Sequence, residues 1–229
     1  MSEMALLREK ALTLHQRLVG AYGEPRLRPH GESLAELVNT ILSQNTNDRN
    51  RDVAYAQLRA RFPTWEAVRD APPADIVAAI RPAGLAPSKG PRIQAALRTI
   101  TEARGALSLD FLRDLPLAEA QDWLLALDGV GPKTAAIVLL FALGRPAFPV
   151  DTHVHRVTLR LGLLPPRTSR EKAHTLLEAL LPDELYYPFH LNVITHGRQV
   201  CHARRPACAL CLVADLCPYS EEVSDDSKA

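Results

Sequence analysis

The stretch ALDGVGPKTAAIVLLFAL, residues 126–143, places a Gly-x-Gly turn between two apolar segments. The residues before it, AQDWLLAL, predict a helix that DGVG ends. Pro132 then stands at the first position of a second helix, where its missing N–H removes no hydrogen bond. The stretch predicts a helix–hairpin–helix. Gly129 and Gly131 would let the backbone approach a partner, and the N–H groups at the start of the second helix would face a phosphate.

Apolar residues at helical spacing recur along the rest of the chain. One set lies in residues 33–46 and consists of Leu34, Leu37, Val38, Ile41 and Leu42. Ser33 is predicted to cap that helix and Asp151 to cap a later one. Residues PTWEAVRD, PADIVAAI and RIQAALRTITEA predict short helices between turns. Because no convincing period-two strand occurs, we expect an all-α fold in which the 18 prolines separate many helices.

The length of 229 residues fits one large domain or two small ones. No apolar run approaches the roughly 20 residues that span a bilayer. The first 20 residues include Glu3 and Glu9 and predict an amphipathic helix in place of a signal peptide. We therefore expect a cytoplasmic protein with no membrane partner.

Charge is distributed unevenly along the chain, although the net charge is only +1. Residues 81–104 and 145–205 are both rich in arginine and lysine. The tail that begins at Asp215 is acidic, and its last eight or so residues are expected to fray. Basic regions of this kind are either solvated helix faces or a surface that binds nucleic acid, and the hairpin favours the second interpretation.

All four cysteines lie close to the C-terminus, with the spacing C-x6-C-x2-C-x5-C. They are Cys201, Cys208, Cys211 and Cys217. Four thiols crowded into so short a segment of a cytoplasmic chain indicate a metal site more than disulfides. The spacing alone leaves zinc and an iron–sulfur cluster both open.

Together, LDGVGPKTA, PVDTHVHRV, THGRQVC and the cysteine pattern resemble the endonuclease III family of DNA glycosylases and abasic-site lyases. The resemblance spans about residues 33–218. It implies a two-lobed helix–hairpin–helix glycosylase fold with a six-helix barrel over 31–144. The second lobe would combine 1–30 with 145–229 and carry a [4Fe–4S] cluster in the loop 201–217. Double-stranded DNA with damaged pyrimidines or abasic sites would bind across the cleft between the lobes. The protein would be a monomer associated with the nucleoid.

The same resemblance places two catalytic residues. Lys133 would attack the sugar C1′ of a flipped nucleotide, displace the base and form a Schiff base. Elimination would then cut the strand on the 3′ side of the abasic site. Asp151 would stabilise positive charge on the sugar and help to move protons. The competing interpretations are an exposed lysine at a helix start and an ordinary helix cap.

Supporting DNA contacts are assigned by the same resemblance. In GLAPSKGPRI, taken as a loop between barrel helices, Leu85 would be a wedge that enters the base stack and Lys89 a phosphate contact. In ILSQNTND, Asn45 occupies the position where the family usually has a glutamine that fills the vacated space, while Gln44 lies one residue earlier. Either could be the filler. Arg204 and Arg205 would contact phosphate. For Leu85 the alternative is a core leucine, and for the arginines it is solvated charge.

The sequence thus favours a base-excision repair glycosylase with lyase activity on oxidised pyrimidines. Two other functions stay open at this point. One is a monofunctional mismatch glycosylase acting on adenine or thymine, which Lys133 disfavours. The other is a noncatalytic DNA-binding protein, which the combination of Lys133 and Asp151 disfavours.

Overall fold

The computed structural model describes residues 2–30 and 32–220, and within these residues every regular element is helical, with no strand. The prediction that the C-terminal tail frays concerns residues outside this range. The chain divides into two compact units. We call Pro29–Arg145 the hairpin unit, and Met1–Arg28 with Pro146–Ala229 the cysteine unit. No helix in the described part of the chain is both long and apolar enough to cross a membrane.

The hairpin unit is a set of helices that follow one another along the chain. They are α2 (Ser33–Ser43), α3 (Asp48–Arg61), α4 (Trp65–Asp70), α5 (Pro73–Ala79), α6 (Ala86–Arg104), α7 (Leu117–Leu125) and α8 (Pro132–Ile137). A 3-10 turn at Arg81–Ala83 precedes α6, and a π-helical turn at Val138–Ala142 extends α8. The apolar face predicted for α2 is buried as expected, because Leu37, Ile41 and Leu42 have no exposed surface.

Two details of this unit differ from the sequence prediction. Ser33 is the first residue of α2, and Glu32 occupies the cap position without a side-chain hydrogen bond. Helix α6 begins at Ala86, well before the predicted Arg92, so most of GLAPSKGPRI is helix and not loop. Proline in the first turn of α6 is compatible with this start, because the first helical N–H groups need no partner within the helix.

The cysteine unit joins the N-terminal helix α1 (Glu3–Tyr22) to three helices from the second half of the chain. These are α9 (Thr152–Arg160), α10 (Arg170–Leu180) and α11 (Tyr186–Gln199). Leu14 and Leu18 of α1 are buried together with Phe189 and Val193 of α11. Phe148 is also fully buried, and its ring meets that of Tyr186 edge-on with centroids 5.4 Å apart. Short 3-10 turns at Cys208–Leu210 and Ala214–Leu216 follow these helices.

Candidate functional site

The predicted helix–hairpin–helix is present in the hairpin unit as α7, residues 126–131 and α8. The Val130 N–H donates to the Leu127 carbonyl at 3.1 Å, and both side chains are buried beneath the turn. Gly129 has φ +77°, and a Cβ there would lie 2.7 Å from Cδ of Arg92. Gly131 has φ −101° and open space around its Cα. Only Gly129 therefore needs glycine for its backbone conformation and for close packing.

Lys133 is the second residue of α8 and is half-buried. The residues that follow it, from Thr134 to Leu140, are all buried. The apolar helix therefore packs into the unit, and the lysine stands where that packing ends. Among the described residues of its own unit, none forms a hydrogen bond or ion pair with the Lys133 ammonium.

Gln44 and Asn45 follow α2 directly and differ in their surroundings. Gln44 is half-buried, and its Nε2 donates to the carbonyl of Gly129 at 3.0 Å. Asn45 is exposed and adopts a left-handed conformation with φ +52°. Gln44 is thus bound to the hairpin, whereas the Asn45 side chain is turned to the surface.

Leu85 and Lys89 lie at the start of α6 and differ in exposure. Leu85 is 57% exposed and left-handed, with φ +50°, so the core-leucine alternative is excluded. Lys89 is only 1% exposed, and its Nζ donates to the carbonyls of Leu42 at 2.7 Å and Ala83 at 2.8 Å. Burial lowers the pKa of this ammonium. The prediction that Lys89 contacts a phosphate is therefore wrong, since the group is enclosed within the helices.

Asp151 lies in the cysteine unit and caps α9, as predicted. Its Oδ1 accepts a hydrogen bond from the Val154 N–H at 2.7 Å. This capping bond fixes the carboxylate relative to the first turn of the helix. The cap interpretation of Asp151 is therefore correct for the local structure.

The chain just before Asp151 is held by three side chains from α10 and α11. The Phe148 N–H donates to Glu178 Oε1 at 2.9 Å, His174 Nδ1 binds the Phe148 carbonyl at 2.7 Å, and His190 Nδ1 binds the Pro149 carbonyl at 2.9 Å. Burial raises the pKa of the Glu178 carboxyl and lowers the pKa of His174. Both histidines act as Nδ1–H donors to carbonyls. The approach to Asp151 is thereby fixed by backbone contacts.

Two arginines of α9 connect the helix to the segment that carries the cysteines. Arg156 donates from Nε and Nη2 to the Cys201 carbonyl, at 3.1 and 2.9 Å. Arg160 donates to the carbonyls of His202 and Ala203 and lies 3.3 Å from Cys201 Sγ. Sequence reasoning missed both residues. Their spacing of four places them on one face of a helix, which is the signal that could have indicated a shared partner.

His153 and His155 both make contacts within the cysteine unit. Arg156 Nη2 lies 3.1 Å from His153 Nδ1, and burial lowers the pKa of His153, so the neutral ring accepts this hydrogen bond. His155 Nε2 binds the Thr168 carbonyl at 2.8 Å. These contacts hold each ring through one of its nitrogens.

The four cysteines are free thiols that line one pocket of the cysteine unit. Sulfur atoms around one zinc ion would lie about 3.8 Å apart, given tetrahedral geometry and Zn–S bonds of about 2.3 Å. No group of three or more His, Cys, Asp or Glu in the described residues is arranged around a single ion in this way. The four thiols that line this pocket form an all-sulfur donor set, which suits an iron–sulfur cluster.

The surroundings of the thiols also fit a bound cluster. Burial, and to a smaller extent the neighbouring thiols, raise the pKa of Cys211 and Cys217, so thiolates need compensating positive charge. Arg160 supplies a cation next to Cys201, and His196 Nε2 lies 3.6 Å from Cys211 Sγ. The Tyr22 hydroxyl lies 3.1 Å from His196 Nδ1, which favours the tautomer with its proton on Nε2, facing the sulfur. His196 is thus a neighbour of the sulfur site and not a ligand.

Arg204 and Arg205 are exposed on the segment between Cys201 and Cys208. Arg205 adopts a left-handed conformation with φ +52°. The hairpin unit therefore brings together Lys133, Gly129, Gly131 and Gln44, and it also contains Asn45, Leu85 and the buried Lys89. The cysteine unit contains Asp151, the two arginines and all four cysteines.

Comparison with known proteins gives a consistent result. The model for the HhH-GPD superfamily of base excision DNA repair proteins matches residues 38–183, and the model for the iron–sulfur binding domain of endonuclease III matches residues 201–217. Endonuclease III of Thermotoga maritima is 34% identical over 85% of this chain and 87% of that protein.

Two further similarities extend this comparison. A protein of Arabidopsis thaliana named as a DNA glycosylase is 41% identical over 71% of this chain, and this match spans 55% of that protein. Among solved structures, a non-covalent endonuclease III–DNA complex matches with a TM-score of 0.81 and 26% identity. The match covers 98% of this chain and 100% of that one.

Proposed function

Because the chain belongs to the HhH-GPD superfamily of base excision DNA repair proteins, we propose that it is a bifunctional enzyme. It excises oxidised pyrimidines from duplex DNA and then cleaves the strand 3′ to the abasic site. The observation that carries the lyase part is Lys133, an amine without a side-chain partner in the described part of its unit, two residues beyond the last glycine of a hairpin suited to phosphate.

The chemistry assigned to Lys133 is balanced at each step. Its neutral Nζ forms a bond to C1′ of the flipped nucleotide, and the glycosidic bond breaks with its electron pair leaving on the base. Loss of the Nζ proton and opening of the sugar ring give the imine. The imine makes the 2′ proton acidic, and β-elimination then expels the 3′ phosphate.

Asp151 supplies the negative charge in this scheme. A carboxylate fixed by its capping bond to Val154 stabilises the positive charge that develops on the sugar as the base departs. It also accepts and returns protons while the ring opens. Because the capping bond uses Oδ1, the carboxylate keeps its orientation without a further side-chain partner.

The remaining assignments concern DNA contact and the cofactor. The backbone at Gly129 and Gly131, together with Arg204 and Arg205, contacts phosphates, while Leu85 enters the base stack and Asn45 fills the vacated space. Gln44 holds the hairpin through its bond to the Gly129 carbonyl. Residues 31–144 form the barrel domain, and 1–30 with 145–229 form the second domain.

The ligands proposed for the [4Fe–4S] cluster are Cys201, Cys208, Cys211 and Cys217. These four thiolates would hold the cluster, and its iron would link the parts of the segment 201–217 to one another. Arg156 and Arg160 bind the backbone at the start of that loop and so connect it to the helix that Asp151 caps.

A panel of duplexes with single lesions tests this function. Each duplex carries thymine glycol, dihydrouracil, adenine opposite 8-oxoguanine, a G·T mismatch or a preformed abasic site. We expect base release and strand cleavage without added alkali on the first two, and cleavage of the abasic duplex. Base release that yields breaks only after alkali, confined to the mismatched duplexes, would assign the protein to the monofunctional glycosylases.

A further inference from the structure

Lys89 is a buried cation that the chemistry above does not use. It lies near the start of α6 with 1% of its surface exposed, and among the described residues its ammonium donates to two backbone carbonyls, those of Leu42 and Ala83. Burying an ammonium costs free energy unless its donors are satisfied. The two carbonyls that accept from Lys89 therefore indicate its structural role.

The first carbonyl belongs to the end of α2. The last carbonyls of a helix have no partner within it. Here the Thr40 carbonyl accepts from the Ser43 hydroxyl at 2.7 Å, and the Ile41 carbonyl accepts from the Gln44 N–H at 3.3 Å. The Leu42 carbonyl accepts from Lys89 Nζ. Lys89 therefore completes the end of α2, three residues before Asn45.

The second carbonyl belongs to the turn before α6. In the 3-10 turn, the Ile80 carbonyl accepts from the Ala83 N–H and the Arg81 carbonyl accepts from the Gly84 N–H. The carbonyl of Ala83, the last residue of the turn, accepts from Lys89 Nζ at 2.8 Å. Ala83 is two residues before Leu85. One ammonium thus binds the chain just before each of the two residues proposed to probe the base stack.

Both probing residues adopt a conformation that ordinary side chains disfavour. Asn45 has φ +52° and Leu85 has φ +50°. A leucine keeps a left-handed backbone conformation only where the surrounding chain is fixed. Leu85 has this conformation, and its side chain is exposed at the surface. The two hydrogen bonds of Lys89 hold the backbone just before Asn45 and just before Leu85.

We propose that Lys89 is a positioning residue, which joins the end of α2 to the turn before α6 so that Asn45 and Leu85 are presented to DNA together. The inference rests on the proposed roles of those two residues. It replaces the phosphate contact expected of this lysine with an internal one, so its removal should alter what the protein does to stacked bases more than how tightly it binds duplex.

The test variant is Lys89→Met, which keeps the length and burial of the side chain but removes the donors. Gln94→Met is the matched control. Gln94 is equally buried on the same helix, and its Nε2 binds the carbonyls of Val68, Arg69 and Ala71 at the end of α4. Both variants lose a side chain that completes a helix end, but only Lys89 contacts the probing segments.

Three measurements are made at a temperature where all variants are folded. They are single-turnover excision of thymine glycol, cleavage of a preformed abasic site, and emission of 2-aminopurine placed opposite a tetrahydrofuran abasic analogue at saturating protein. Lys89→Met should slow excision about tenfold and lose most of the 2-aminopurine increase, because the opposite base is no longer unstacked. Abasic cleavage and duplex affinity should stay within about threefold, since these depend less on stack insertion. Gln94→Met should match the parent in all three.

Combined variants separate positioning from a general structural effect. If Lys89 acts through Leu85 and Asn45, Lys89→Met should slow excision less than about twofold further in a background that carries both Leu85→Ala and Asn45→Ala. Three results would each overturn the proposal. The first is that Lys89→Met slows excision by the same factor in the combined background as in the parent. The others are equal slowing of excision and abasic cleavage by Lys89→Met, and the same loss of 2-aminopurine emission in Gln94→Met. If Lys89→Met does not fold, Lys89→Gln retains one donor and enters the same comparison. A parent-like Leu85→Ala would refute the wedge assignment and this inference with it, whereas a defective Leu85→Ala beside a parent-like Lys89→Met refutes this inference alone.

Discussion

Lys133 and Asp151 both stand at the start of a helix, yet the two units hold them differently. Asp151 is bound by its own capping hydrogen bond, and the chain before it is fixed by Glu178, His174 and His190. Lys133 follows a hairpin that is fixed by Gln44, while its ammonium has no side-chain partner in the described part of its unit. A nucleophile has to reach the sugar and change partners, whereas a stabilising charge is more effective when its position is preorganised.

The two units also differ in how they fix backbone that is not helical. In the cysteine unit, arginine and histidine side chains bind carbonyls near the sulfur site and before Asp151. In the hairpin unit, Gln44 binds a carbonyl of the hairpin turn, and Lys89 and Gln94 bind carbonyls at helix ends. From this difference we predict that loss of the cluster destabilises the cysteine unit first. We also predict that substitutions at Asn45 and Leu85 alter activity with little effect on stability.

The largest effect is expected from Asp151→Asn. Asparagine is as good a helix cap as aspartate, so α9 and the melting temperature should be preserved. Base excision should fall by about 100-fold or more, because an amide supplies no negative charge to the sugar. Cleavage of a preformed abasic site should survive in part, since that reaction starts from an aldehyde. Unchanged excision would mean that Asp151 serves only as a cap.

Cys208→Ser should show that the cysteine unit depends on its cluster. Anaerobically purified parent should contain about four irons per chain and absorb in the visible range. The variant should lose iron and melt roughly 10 °C lower, the effect of losing a ligand that stabilises by about 4 kcal/mol.

The control for that variant is Leu210→Ser, two residues away and 81% exposed. It should keep the parent's iron content and melting temperature. A colourless, active parent protein with one zinc ion would contradict the cluster assignment.

The roles of Asn45 and Gln44 should be distinguished by comparing a paired pyrimidine lesion with a preformed abasic site. Asn45→Ala should slow excision of a paired pyrimidine lesion roughly three- to tenfold, the cost of about one lost contact to the unpaired base. Asn45→Gln should preserve or improve excision, since the longer side chain fills more space. Cleavage of an abasic site should change little in either variant.

Gln44→Ala should instead slow both reactions, because the Gly129 carbonyl loses its donor and the hairpin before Lys133 is less well fixed. A severe excision defect in Gln44→Ala, with Asn45→Ala like the parent and abasic cleavage normal in both, would identify Gln44 as the filler.

The smallest effect concerns pH and His174. Burial lowers the pKa of His174 in the folded protein, so the unfolded chain binds more protons near pH 6 and stability falls as the pH drops below the unfolded value of about 6.5. His174→Gln keeps an N–H donor for the Phe148 carbonyl but does not titrate. Its stability should lie within about 1 kcal/mol of the parent at pH 7.5 and decline less towards pH 5. Parallel curves from urea unfolding at each pH would exclude His174 as a source of the acid sensitivity.

The resemblance to endonuclease III, the all-α fold, the class of DNA glycosylase and the [4Fe–4S] cofactor are confirmed. They were predictable because the hairpin, the Asp151 cap and the cysteine spacing are local patterns. Lys89 was misjudged for the opposite reason. Its two partners, Leu42 and Ala83, lie in other elements, and a lysine near a glycine turn gives no sign that its ammonium is enclosed.

Other contacts could not be predicted from local sequence patterns either. The bond from Gln44 to Gly129 joins residues 85 apart in sequence, and the contacts of Arg156 and Arg160 reach more than 40 residues along the chain. The left-handed conformations of Asn45 and Leu85 follow from the elements on either side, and neither residue type predicts them. The roles of Lys133, Asp151 and the DNA-contacting residues stay predictions.

Borohydride trapping of Lys133 variants tests the central claim, that this amine is the nucleophile. Parent protein, Lys133→Gln and Lys133→Arg are incubated with a duplex that carries thymine glycol or an abasic site, and covalent protein–DNA product is measured on denaturing gels. Only the parent should be trapped, because an amide and a guanidinium form no reducible imine with the sugar. Both variants should bind the duplex, and Lys133→Arg should bind as tightly as the parent because it keeps the charge. Undiminished trapping of Lys133→Gln would place the nucleophile elsewhere and contradict this account.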